Sequence, residues 1–238
     1  MDVKEIDILG EDIERHWYYR SKALAVQQLL RGVQVGTILD VGAGSGFFSR
    51  HLLKTSQARD AWCVDISYEG DSEGFEGAKP IHCRRTIGQV DADLVLLMDV
   101  LEHVDDDLGL LRAYVDKVPT GSLFLISVPA FSFMWSEHDV FLEHRRRYSL
   151  AQIEGVVRSA HLALQRSAYY FGAVFPIAAA TRLVDKVLHK SGQPPRSQLR
   201  RHHPVVNAGL SLLSRLELPL FPLNRVAGLS AFCLARKR

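Results

Sequence analysis

The sequence predicts an α/β protein built on a seven-stranded, mostly parallel sheet with helices on both faces and a helical insertion before the last strand. Three observations predict it. Short apolar runs recur between turn residues without the polar alternation of a half-solvated strand, so both faces of each are covered. Helical periodicity fills several of the gaps, which gives a repeated strand–helix–strand order. A chain of 238 residues with 47% hydrophobic and 24% charged side chains supplies one large core rather than two full domains.

Taken in order, apolar and aromatic residues at helical spacing predict a helix over Ile13–Leu30, with Asp12 as its N-cap and Gly32 as its stop. Strands are expected at Thr37–Val41, Ala61–Asp65, Pro80–Cys83, Leu94–Met98 and Leu123–Val128, with helices around Phe47–Lys54 and Leu108–Val118. The acidic, glycine-bearing stretch Ser67–Lys79 reads as a loop in place of a crossover helix. Ser149 and Gln152 form a capping-box pattern that opens a helix over Leu150–Ala160. Strands at Leu164–Phe171 and Leu229–Ala235 complete the sheet, so residues 1–172 plus 228–238 form the main domain and 173–227 the insertion.

The formal net charge of +2 excludes a strongly electrostatic nucleic-acid binder, and no nucleic-acid partner is expected. Cys63, Cys83 and Cys233 are an odd number without paired spacing and read as reduced core residues. No Cys/His cluster has metal-ligating spacing, so no metal is expected. The segment Met1–Gly10 lacks a basic start and apolar core, which predicts a cytoplasmic protein.

The run Thr37-Ile-Leu-Asp40-Val-Gly42-Ala43-Gly44-Ser-Gly46-Phe47 is a strand, a glycine turn and a helix start. Such glycines permit positive φ and close backbone approach, while free N–H groups at the helix start face a ligand. The spacing is G-x-G-x-G, with Phe47 where a dinucleotide-binding turn carries its third glycine. Asp40 at the loop entrance would also repel a pyrophosphate, which disfavours a nicotinamide-dependent oxidoreductase. Asp65 closes the next strand, where a carboxylate accepts ribose hydroxyls.

Together with Leu96-Leu-Met98-Asp99-Val-Leu-Glu102-His103-Val, these residues resemble class I S-adenosylmethionine-dependent methyltransferases, especially small bacterial enzymes that methylate small molecules. The resemblance covers about Trp17 to Tyr148 and implies a Rossmann-like fold with S-adenosyl-L-methionine as cofactor. It implies that Asp40, Gly42, Ala43, Gly44 and Gly46 line the methionine and ribose part, that Asp65 with Ile66 takes the ribose, and that Met98 and Asp99 contact the methionine end. Thr86 and Ile87 are the loosely assigned adenine contacts.

After the fifth strand, Val128 to Tyr148 hangs over the ligand crevice, as loops beyond parallel strand ends do. Removing a proton from a hydroxyl acceptor suits histidine near neutrality. His144 is the first candidate, then His103, with His138 third; each could instead be a packing or loop-fixing residue. Arg145, Arg146 and Arg147 either grip an anionic substrate, form a solvated face or pair with Glu137 and Glu143. The insertion holds Arg182, Lys186, Lys190, Arg196, Arg200, Arg201, Arg215 and Arg225 against Asp185 and Glu217. Its apolar stretches are too short to span a membrane. It reads as a lid, a homodimer interface or a peripheral membrane contact. The expected function is methyl transfer, by preference O-methylation, to a small-molecule or lipid- or saccharide-linked acceptor. The alternative is an inactive cofactor-binding partner or sensor.

Overall fold

The computed structural model describes residues 10–188 and 203–238. Its strands are β1 (Thr37–Val41), β2 (Asp60–Val64), β3 (Ser72–Glu76), β4 (Lys79–Arg84), β5 (Leu94–Met98), β6 (Leu123–Pro129), β7 (Leu162–Tyr170) and β8 (Ser230–Lys237). They form one sheet in the order β3-β4-β2-β1-β5-β6-β8-β7. The run from β4 through β2, β1 and β5 to β6 is parallel, while β8 is antiparallel to both its neighbours.

The sheet therefore has one strand more than the sequence predicts. The stretch expected to be a loop contains β3, which pairs antiparallel with β4 across a turn at Gly77, where φ is +61°. Edge pairing needs only one backbone partner, so the polar composition of Ser72–Glu76, exposed or half-buried throughout, does not prevent it.

Five helices build the layers: α1 (Trp17–Leu29), α2 (Phe47–Thr55), α3 (Asp107–Val115), α4 (Glu137–Phe141) and α5 (Leu150–Ser159). Two more, α6 (Phe175–Leu188) and α7 (Pro204–Glu217), lie within the insertion. The predicted N-terminal helix is split, with a 3₁₀ turn at Gly10–Arg15 and the α-helix starting at Trp17 behind His16. Asp12 is therefore not its N-cap. The expected capping box of Ser149 and Gln152 does open α5. The side chains of Lys186, Lys190, Arg196, Arg200 and Arg201 fall outside the description.

Alternation along the central strands sends successive side chains to opposite faces. Ile38, Leu94 and Leu96 join one apolar cluster and Leu39, Val95 and Leu97 the other, all fully buried. Each such side chain contributes roughly 1.5–3 kcal/mol. The two clusters make the sheet a rigid floor, and the C-termini of its parallel strands β4, β2, β1, β5 and β6 open on one edge.

Candidate active site

β1 carries Asp40, buried, to that edge, and the glycine turn follows. Gly42, Gly44 and Gly46 have φ of +64°, +53° and +70°, which side-chain-bearing residues rarely adopt. At Gly42 a Cβ would also meet Val100 Cγ2 at 2.9 Å. The loop is stitched to β2, since Gly42 N and Ala43 N donate to Val64 O at 2.7 and 3.2 Å. Asp40 accepts from Ser49 Oγ of α2 at 2.6 Å.

Asp65 follows β2 and accepts from Gly44 N at 2.9 Å, Ser67 N at 2.9 Å and Ser67 Oγ at 2.6 Å. Burial alone would raise its carboxyl, but these donors hold it below the usual carboxylate range.

A cleft opens beside the glycine loop, with Asp40, Gly42, Ala43, Met98 and Asp99 along one side. Trp17, Tyr18 and Tyr19 from α1 and Arg182 from α6 also line it. Asp99 sits just past β5 at φ +56°. It bonds Lys22 of α1 and accepts from Ser127 Oγ at 3.0 Å. Burial alone would lower the fully buried Lys22 ammonium, and the Asp99 carboxylate overrides this and raises it. Lys22 is thus a charged residue that fixes Asp99. The sequence reading missed it, although a lysine inside an apolar helical face is a visible signal.

The opposite side of the cleft contains Glu102, His103, His138, His144 and Arg147. Glu102 and His103 sit on a 3₁₀ turn, Leu101–His103, directly after Asp99 and Val100. The later segment is tied to that turn by Arg145 N donating to Glu102 O at 2.6 Å. The His103 and His144 rings consequently meet edge to face with centroids 4.7 Å apart. Fully buried Asp139 organises this wall. It receives Arg147 Nε and Nη2 at 2.7 and 3.0 Å and Ser136 N at 2.8 Å, and its Oδ1 lies 2.9 Å from His144 Nδ1. Burial opposes its ionisation, yet the bonds to His144 and Arg147 hold its carboxyl far below the ordinary value. Burial lowers His138 to about 4, so it is neutral at physiological pH. Glu102 is fully buried, and neither carboxylate oxygen finds a donor in another residue. Its carboxyl is pushed up by burial and by Asp99.

The structure thus gathers His144, His103 and His138 with Asp40, Gly42, Ala43, Met98 and Asp99 around one cleft. Gly44, Gly46, Asp65, Ile66, Thr86 and Ile87 are not among its lining residues. Ile66 is 81% exposed and Thr86 is exposed, whereas Ile87 packs partly against the core. The arginine triplet divides: Arg145 lies on a solvated face, its side chain 57% exposed, while the other two turn to carboxylates other than Glu137 and Glu143. Arg147 is buried on Asp139, Arg146 reaches Asp107 and the carbonyls of Val104 and Asp105, and Arg145 approaches Asp105. Sequence spacing shows no metal-ligating cluster, yet the fold assembles one candidate, in which ligand atoms of Glu102, His103 and His144 lie within 4.8 Å of one another. His144 is too far along the chain from the other two for spacing to reveal it.

The insertion closes on this edge. Asn207 of α7 accepts from Trp17 N at 2.8 Å, Tyr170 donates to Ser214 O at 3.0 Å, and Arg182 of α6 donates to Met134 O at 2.6 Å. Arg225 turns inward to Glu154 at 2.7 Å. Two of the insertion's basic residues, Arg182 and Arg225, therefore bond to the rest of the protein.

The profile of the methyltransferase-domain family matches residues 15–169. No curated protein matches the sequence. Among solved structures, the fold resembles a putative methyltransferase bound to the Trm112 activator from Haloferax volcanii, with TM-score 0.57, 17% identity and coverage of 95% of this chain and 92% of that one. It resembles a SAM-dependent methyltransferase from Archaeoglobus fulgidus, with TM-score 0.54, 14% identity and coverage of 94% and 97%. It also resembles phosphoethanolamine N-methyltransferase 2 from Haemonchus contortus, solved with S-adenosyl-L-methionine, with TM-score 0.54, 16% identity and coverage of 91% and 52%. The chain belongs to the methyltransferase-domain family and has the fold of class I S-adenosylmethionine-dependent methyltransferases.

Proposed function

We propose that this protein transfers the methyl group of S-adenosylmethionine to an oxygen of a small-molecule or lipid- or saccharide-linked acceptor. The observation that carries this reading is one cleft with the glycine loop and Asp40 on one side and a histidine wall on the other. S-adenosylmethionine, when bound, supplies a methyl group already activated on a sulfonium. The acidic, aromatic end of the cleft suits such a cation. Asp40, Gly42, Ala43, Gly44, Gly46, Met98 and Asp99 hold its amino-acid side, Asp65 with Ile66 its ribose, and Thr86 and Ile87 the adenine side.

The chain then has to align an acceptor, and positioning of this kind is worth roughly 7–11 kcal/mol. The acceptor's proton leaves at the histidine wall, where Asp139 anchors His144 Nδ1 and so orients its Nε2, with His103 beside it. Calorimetric titration with S-adenosylhomocysteine and with a nicotinamide dinucleotide tests the cofactor; binding of the second alone would overturn the assignment. In an assay with the true acceptor, His144→Gln should lower turnover by about 10²–10⁴-fold with cofactor affinity nearly unchanged.

Residues 173–227 act in this reading as a lid on the domain formed by 1–172 and 228–238. The bonds of Asn207 and Arg182 across the cleft edge support it. The lid exposes Ile177, Leu183, Val205, Leu212 and Leu216, a face suited to a second copy or a lipid surface. No helix among the described residues is long and apolar enough to cross a membrane. Sedimentation with and without anionic vesicles separates a dimer, a vesicle-bound monomer and a free monomer, the last outcome removing the interface reading.

A further inference from the structure

We propose that Glu102, His103 and His144 hold a first-row divalent cation, of the Zn(II) or Mn(II) class, and that this cation binds the acceptor oxygen. The inference deepens the methyltransferase reading above and rests on it for the role of the ion. Three features of the wall carry it. The candidate ligand atoms lie within 4.8 Å of one another, close enough that small side-chain rotations bring each to the ~2.0–2.2 Å of a metal–ligand bond. Glu102 is a fully buried carboxylate on the cleft wall whose two oxygens find no donor in another residue. Buried carboxylates are commonly paired, hydrogen-bonded or bound to a metal, and among the described residues no donor fills the first two roles for those oxygens.

The third feature is the partner behind His144. Its Nδ1 lies 2.9 Å from Oδ1 of fully buried Asp139, which is itself held by both ends of the Arg147 guanidinium. A carboxylate on one ring nitrogen fixes the tautomer and turns the other nitrogen outward, which is the usual support of a metal-bound histidine. Two imidazoles and one carboxylate favour first-row transition ions and zinc over magnesium or calcium, which prefer all-oxygen shells. Three protein ligands leave coordination positions open on the cleft side, as catalytic rather than structural sites do.

Such an ion gives the wall a defined task. An acceptor hydroxyl bound to it becomes far more acidic, as metal-bound water does. The O–H bond breaks with its proton passing to water in the cleft, and the freed oxygen pair forms the C–O bond. The pair of the breaking C–S bond leaves with the neutral thioether. His103 and His144 then act as ligands rather than as bases.

The test is calorimetric titration of chelator-stripped protein with Zn(II) and with Mn(II), each with and without S-adenosylhomocysteine. One ion per chain should bind in the wild type. Glu102→Gln and His144→Gln, each verified as folded by its thermal melt, should weaken ion binding at least tenfold while S-adenosylhomocysteine still binds. His103→Asn serves as a further variant where Glu102→Gln does not fold. Absence of ion binding up to millimolar concentration, or equal affinity in wild type and variants, overturns the proposal. Failure of S-adenosylhomocysteine to bind the wild type instead overturns the methyltransferase reading, whatever the ion does.

Discussion

The two sides of the cleft are made by different physics. The glycine loop is backbone: three positive-φ glycines at alternate positions, N–H groups bonded to Val64, and a carboxylate at the end of each flanking strand. The histidine wall is side chain: its geometry depends on Asp139 meeting Arg147 and His144, and on the 3₁₀ turn after β5 and the segment after β6 reaching each other. A loop specified by backbone dihedrals needs few distant partners. A wall specified by buried charge fails as a unit when one partner goes.

The largest expected effect follows from that asymmetry. Asp139→Ala leaves the Arg147 side chain, only 4% exposed, without its counter-ion. Breaking a buried pair on one side costs about 3–5 kcal/mol, measurable by urea unfolding. Asp139→Ala combined with Arg147→Met should recover part of the loss, because no buried charge then remains unpaired. A single variant as stable as the wild type would show that the network does not hold the wall.

This difference also explains what the sequence shows and what it hides. The G-x-G-x-G loop, Asp65 and the apolar strands are patterns among near neighbours, so spacing alone places β1, β5 and the cofactor motif. The same holds for the Ser149 and Gln152 capping box. β3 was hidden because edge pairing asks little of composition. Lys22 is hidden because Asp99 is 77 residues away, and the Glu102–His103–His144 cluster because His144 lies far along the chain from the other two. The Asp139 hub is made of near neighbours, but nothing in the sequence shows that Asp139 is buried. Within the arginine triplet, Arg147 pairs with Asp139 rather than with Glu137 or Glu143, because Asp139 is the carboxylate that the loop buries.

A second effect separates the two sides by pH. His138 is held at about 4 by burial, which outweighs attraction from Asp139 and is reinforced by repulsion from His144, Arg182 and Arg147. The unfolded chain takes up this proton below about 6.5, whereas the folded chain resists until about 4. Its contribution is therefore complete above the higher value and is lost as pH falls through the window, amounting to about 3 kcal/mol. The depressed Asp139 and Asp65 carboxyls add losses of the same sign only at lower pH. The raised Glu102 carboxyl acts with the opposite sign, taking up its proton more readily folded than unfolded as pH falls. The difference between wild type and His138→Asn in unfolding free energy at pH 7, 6, 5 and 4 isolates the histidine, and the variant should lose the acid-side destabilisation that His138 contributes. An unchanged slope would place the acid sensitivity elsewhere.

On the loop side, Asp65→Ala removes an acceptor for the ribose hydroxyls and frees Gly44 N. Affinity for S-adenosylhomocysteine should fall by roughly 1.5–3 kcal/mol, with the charge on the wall untouched. Calorimetry reads this directly, and unaltered affinity removes Asp65 from the site.

The smallest effect asks whether the two sides are independent. Ser149 follows the wall segment directly and caps α5, its hydroxyl accepting from Gln152 N while Gln152 Oε1 accepts from Ser149 N at 2.7 Å. Losing an N-cap of this kind costs about 1 kcal/mol. The cap sits two residues beyond Arg147, and Tyr148 between them donates to Asp107 at 2.7 Å. Fraying at α5 would therefore be felt first by the wall. Ser149→Ala should lower the unfolding midpoint while S-adenosylhomocysteine binds as tightly as before, and Ser149→Asp, which keeps a capping oxygen, should restore the midpoint. Cofactor affinity that fell together with stability in the alanine variant and returned in the aspartate one would mean that the wall and the glycine loop share one cooperative unit. The backbone loop would then owe its geometry partly to the buried charges across the cleft.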